Sequence, residues 1–125
     1  MFHFLNVAVY YMRLLELFSG THSVGKVAES LEYEVVSLDI CDYKGNFSPT
    51  HKIDILNFDY KMYDKDYFDV IWASPPCVYY STLQYGWYGQ KKKDGIFTKE
   101  KHMKLLELAD SWVKKVIEII EYFNV

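Results

Sequence analysis

From Arg13 onward, short apolar runs alternate with a helical pattern and turn residues, a rhythm that confines the chain to β-α-β units around a parallel sheet. Residues 13–18 read as the first strand, 19–21 as a turn, and 22–31 as a helix with Val24, Val27, Ala28 and Leu31 at apolar positions. Residues 33–38 make the second strand. After a loop around Gly45, Asn46 and Pro49, residues 51–55 give a short third strand, and an aspartate- and tyrosine-rich stretch leads to a fourth over 68–73. A long loop with Gly86, Gly89 and Gly95 follows. Residues 98–123 then carry Leu105, Leu108, Ala109, Trp112, Val116, Ile119, Ile120 and Phe123 at helical spacing, which predicts one long amphipathic helix. The expected class is α/β: about four parallel strands, joined by right-handed helical crossovers, with helices on their flanks.

With 125 residues, half of them apolar, one core and one domain are expected over residues 13–125. Residues 1–12 stand apart as an apolar, tyrosine-containing extension without a basic start. It is either outside the fold, with Met12 as an alternative start, or an extra edge strand. Cys41 and Cys77 alone make no disulfide framework, and no run reaches the roughly 18 apolar residues of a membrane span. An intracellular, reducing, non-membrane setting is therefore expected. His3, His22, His51 and His102 have no ligand spacing among themselves or with the cysteines, so no metal site is predicted. The net charge is −3, yet six lysines against Asp94 and Glu100 give residues 85–104 a local +4, leaving −7 elsewhere.

Chemistry concentrates at Ser74-Pro75-Pro76-Cys77, directly after the fourth strand. Two consecutive prolines fix φ and donate no N–H, so the turn holds the following thiol rigidly at the carboxyl edge of the sheet, where open α/β folds bind ligands. Rigidity of that kind suits a nucleophile more than a packing residue. The turn after the first strand, Phe18-Ser19-Gly20-Thr21-His22-Ser23-Val24-Gly25, has Gly20 and Gly25 at the outer spacing of a dinucleotide fingerprint, with His22 in the middle glycine's place. Asp39 closes the second strand nineteen residues after Gly20, near the spacing at which a carboxylate accepts from ribose hydroxyls. Together these favour an adenosine-containing cofactor. Read singly, Gly20 is an ordinary turn glycine, Asp39 a cap or strand-end charge, and Asp54 a loop aspartate.

Glu16-Leu17-Phe18-Ser19-Gly20 and Pro75-Pro76-Cys77 with Tyr80-Ser81 are similar, in order and spacing, to the cofactor and catalytic motifs of DNA cytosine-5 methyltransferases. The chain resembles the amino-terminal part of that family, specifically over residues 14–81. The resemblance implies a Rossmann-like methyltransferase fold with a truncated sheet and S-adenosylmethionine as cofactor. Phe18, Ser19, Gly20 and Pro75 would line its site, Asp39 would bind ribose, Asp54 would approach adenine, and Cys77 would attack cytosine in DNA. His22 and Ser23 replace glycines usual in the family, Ser74 another, and Val78 stands where glutamine is common. The family's Glu-Asn-Val segment and recognition region lie downstream of the sequence at hand, so a second polypeptide supplying them is an expected partner. Lys91-Lys92-Lys93, interleaved with Tyr85, Trp87 and Tyr88, is either a solvated loop packed by its aromatics or, as the resemblance implies, the DNA contact. Two other readings stay open: a non-catalytic module that binds S-adenosylmethionine, and an amino-methyltransferase, whose similar turn has an aromatic residue in place of Cys77.

Overall fold

The computed structural model describes residues 11–43 and 47–125. Expectations for residues 1–10, and for Gly45 and Asn46, fall outside that range. Four parallel strands form one sheet in the order β3-β2-β1-β4: β1 (Arg13–Leu17), β2 (Glu34–Asp39), β3 (His51–Lys52) and β4 (Val70–Ala73). Helix α1 (Ser23–Ser30) connects β1 to β2, and the 24-residue α2 (Lys99–Tyr122) closes the described chain. The α/β class with four parallel strands is as expected, and the fourth strand lies beside the first.

Side chains alternate across a strand, so the central β1 serves both faces of the sheet. Leu15 and Leu17 point into a core with Leu38, Ile55, Phe58, Tyr60 and Phe68, and α2 covers it with Val116, Ile119 and Phe123. On the other face, Leu14 and Val70 share an apolar hollow with Val24, Val27, Ala28 and Leu31 of α1. The sheet is thus a middle layer.

Several expectations need correction. Among the described residues only β1 and β2 are joined through an α-helix; between β3 and β4 the chain runs through short 3₁₀ turns at Ile55–Asn57 and Tyr60–Met62. Aromatic bulk takes the place of helices there: Tyr60 and Phe68 lie edge-on to Phe123, with ring centroids 6.5 and 5.1 Å apart. β3 is only two residues long because Asp54, expected within that strand, caps the first of these turns by accepting from the Leu56 N–H at 2.9 Å. The loop after β4 contains an antiparallel pair, β5 (Lys91–Lys92) and β6 (Gly95–Ile96), which periodicity did not reveal.

Helix α2 begins at Thr98, whose hydroxyl accepts from the Lys101 N–H, with Glu100 favourably placed in the first turn. Its buried line is Ala109, Val116 and Ile119, whereas Leu108 and Ile120 of the expected apolar stripe remain 40% and 41% exposed. Ile119→Ala should therefore lower the unfolding free energy by about 2–5 kcal/mol. Ile120→Ala, one position away, should cost much less, and urea denaturation of the two variants checks which face of α2 meets the sheet.

Candidate functional site

The site grows from the turn after β1. Phe18, Gly20 and His22 all adopt left-handed backbone conformations, with φ of 58°, 49° and 62°. For Phe18 and His22, which carry a Cβ, that geometry costs energy and must be held in place by neighbours. The holding bonds are visible. Ser19 N–H donates to Leu38 O at 2.9 Å, and Gly20 N–H donates to Asp39 Oδ2 at 2.7 Å, so the turn is fastened to the carboxyl end of β2.

Beneath the turn lies a feature that motif reading missed. Glu16, 2% exposed in the middle of β1, meets His22 Nδ1 at 2.6 Å and accepts from Gly25 N–H at 2.8 Å. His22 reaches Glu29 with Nε2 at 2.9 Å and stacks on Phe47 at 3.9 Å between centroids. A buried carboxylate without partners is costly, and these contacts supply its partners. The signal in the sequence was the lone acid inside the run Leu14-Leu15-Glu16-Leu17. His22 in turn dictates Gly25: a Cβ built there falls on the imidazole.

The strand ends enclose a cleft of about 320 Å³, lined by Phe18, Asp39, Ile40, Ile53, Asp54, Ile55, Ser74 and Pro76, with Leu38 beneath and Trp112 of α2 at the side. An adjoining hollow of about 270 Å³ shares Phe18 and Ser74 and includes Ser19, Gly20 and Trp72. Both sit where strand order reverses beside β1, the usual ligand crevice of open α/β sheets. Five of the seven residues singled out from sequence, Phe18, Ser19, Gly20, Asp39 and Asp54, line these spaces. Pro75 does not; its neighbour Pro76 does.

Asp39 is occupied on both oxygens, by Gly20 N–H and by Ile40 N–H, each at 2.7 Å. Each carboxylate oxygen can accept a second bond, so the staple leaves capacity toward the cleft. Ser19 Oγ is the opposite case: buried, facing the hollow, and without a hydrogen-bond partner. Cys77 is exposed, with φ −108° and ψ 0°, and heads a 3₁₀ turn at Val78–Tyr80 immediately after Pro76. Tyr80 Oη donates to Asp110 Oδ1 at 2.6 Å, and that contact pushes the phenol's pKa above its ordinary value. Among the described residues no three His, Cys, Asp or Glu side chains gather as a metal cage, and no helix is long and apolar enough to cross a membrane.

Strained turn, strand-end acids and proline corner define the class first: an α/β protein with an open cleft at its topological switch point. Sequence comparison makes the kinship specific. The chain is 39% identical over 116 residues to a protein of Frog virus 3 (isolate Goorha) named "Probable DNA (cytosine-5)-methyltransferase". The match takes in 90% of this chain and 50% of the relative, so the chain spans half the relative's length. Kinship with DNA cytosine-5 methyltransferases, read from the motifs, is borne out at that level. No family model matches the chain, and no solved structure matches it.

The Glu16–His22–Gly25 packing has a direct consequence. Ala normally stabilises a helix interior by about 1 kcal/mol over Gly, but Gly25→Ala should destabilise this chain. Combined with His22→Gly, the same change should cost less, since only the Glu16 carboxylate would then oppose the new Cβ, and a denaturation double-mutant cycle measures the coupling.

Proposed function

We propose that this chain is the cofactor-binding and nucleophile-bearing part of a DNA cytosine-5 methyltransferase, with residues 13–125 as a partial catalytic domain of Rossmann-like methyltransferase type. One observation carries the reading: Phe18, Asp39, Asp54 and Pro76 converge on one cleft, and the exposed thiol of Cys77 is the next residue along.

The residues present fit S-adenosylmethionine. Ile40, Ile53, Ile55, Phe18 and Trp112 give apolar walls for a purine. Asp54 also lines the cleft and can accept from an exocyclic amine, while the free lone pairs of Asp39 suit ribose hydroxyls. The orphaned Ser19 Oγ offers a buried donor to the amino-acid end, where a carboxylate would relieve its missing bond. When bound, the cofactor supplies an electrophilic methyl group. Cys77 supplies the complementary activation: its thiolate adds to C6 of cytosine, which places electron density on C5, and after C5 has been alkylated and its proton lost, the sulfur leaves. The Cys77 thiol is open to solvent, so a flipped base can reach it.

DNA is the proposed substrate. The β5–β6 pair presents Lys91, Lys92 and Lys93 to solvent, and Lys92 lies 4.6 Å over the Trp87 ring, a combination suited to phosphate and base contact. The outer edge of β4 has no paired strand among the described residues, and the chain spans half of its relative. The open edge supports a further polypeptide segment pairing with β4. Action would be intracellular, where the cofactor and DNA are found.

Calorimetric titration with S-adenosylmethionine and tritiated-methyl transfer to cytosine-containing DNA test the reading together. Asp54→Ala should weaken cofactor binding on the order of tenfold. Cys77→Ser should keep binding and abolish transfer. Binding without transfer in the unaltered chain would identify a cofactor-binding module instead, and absence of binding would overturn the proposal.

A further inference from the structure

Cys77 is constrained from both sides. Pro75 and Pro76 fix the backbone before it, and the two peptide carbonyls after it are each held by a buried side chain. Gln84, 1% exposed, donates through Nε2 to Val78 O at 3.0 Å, and His102, 3% exposed on α2, donates through Nε2 to Tyr79 O at 2.8 Å. A carbonyl only accepts, so Nε2 carries the proton and Nδ1 accepts from Tyr88 Oη at 2.6 Å. That second bond, with edge-on contacts from Tyr85 and Tyr88, fixes the imidazole ring.

Carbonyls in an exposed 3₁₀ turn can take water at almost no cost, whereas a buried amide or imidazole left unpaired costs about 1–3 kcal/mol. Two such buried groups committed to adjacent carbonyls mark a demand for position. The same helix also forms the cleft: Trp112 lines it and lies 6.4 Å from the Tyr79 ring, and Asp110 takes the Tyr80 hydroxyl. Helix α2 thus touches the turn at two successive residues, Tyr79 and Tyr80, and lines the cleft with Trp112.

We propose that His102 and Gln84 are positioning residues for Cys77, fixing the carbonyls of Val78 and Tyr79 so that the sulfur keeps one station beside the cleft. The inference rests on reading Cys77 as the reacting group. Neither residue belongs to the motifs shared with the methyltransferases, and neither lines the cleft.

The test uses the full chain with Cys41→Ser, leaving Cys77 as the one thiol. A trifluoroethylthio label on Cys77 is read by ¹⁹F NMR, and S-adenosylmethionine affinity by calorimetry. The expected result is one narrow resonance in the parent and a split or exchange-broadened signal in both His102→Ala and Gln84→Met. His102→Gln, which keeps an N–H for Tyr79 O, should restore the single line, and cofactor affinity should hold throughout. Should His102→Ala not fold, Gln84→Met answers alone. An unchanged resonance in Gln84→Met, or cofactor affinity lost in step with the signal, overturns the proposal. Failure of the nucleophile reading is recognised separately, by methyl transfer that survives Cys77→Ser.

Discussion

The hydrogen bond from Gly20 N–H to the Asp39 carboxylate joins the end of the central strand to its neighbour, and the cleft exists because of that join. Without it, the left-handed residues Phe18 and Gly20 would relax toward commoner conformations and the Phe18 ring would no longer form a wall. Glu16 works from below, tying β1 to the start of α1 through His22 and Gly25. A carboxylate at the strand end and another within the strand thus set the shape of one short turn. Local strain is sustained by two hydrogen-bonded carboxylates, Glu16 buried within the strand and Asp39 half-buried at the strand end.

The second constraint is α2. Its buried line of Ala109, Val116 and Ile119 seats it on the sheet, and Phe123 closes the aromatic core against Tyr60 and Phe68. A helix fixed so firmly at its carboxyl half can act as a reference for the irregular chain near its amino half. His102, Asp110 and Trp112 turn that reference into contacts with the turn after Cys77 and with the cleft. The cleft and the turn that carries the thiol are consequently held by one helix.

Much of this was legible beforehand, for physical reasons. Strand alternation and the apolar spacing of α1 and α2 are periodic signals, and a four-stranded parallel sheet follows from them, whereas the place of β4 beside β1 is a tertiary fact. Pro75-Pro76-Cys77 was visible because proline limits the backbone whatever surrounds it. The segment between β2 and β4 was not, since its 3₁₀ turns and aromatic packing depend on Phe123, more than fifty residues away in sequence. His22 could be seen to depart from glycine, but its stacking on Phe47 and its contact with Glu29 are tertiary facts. The roles of Gln84 and His102 were likewise hidden, because a buried polar residue is recognised only once its partner carbonyl has a place in space. Leu108 and Ile120 looked like core by spacing alone, and the narrow line of α2 that meets the sheet left them outside.

The central claim is that the Cys77 sulfur and the methyl-donor end of the cofactor share one side of the cleft, with the adenine end toward Asp54. A nitroxide attached to Cys77 in the Cys41→Ser chain would report this through paramagnetic broadening of the proton lines of S-adenosylmethionine in fast exchange. The account predicts that the S-methyl resonance broadens more than the adenine protons. Adenine protons broadened as much or more, or a ligand whose lines ignore the label while it binds, would contradict it.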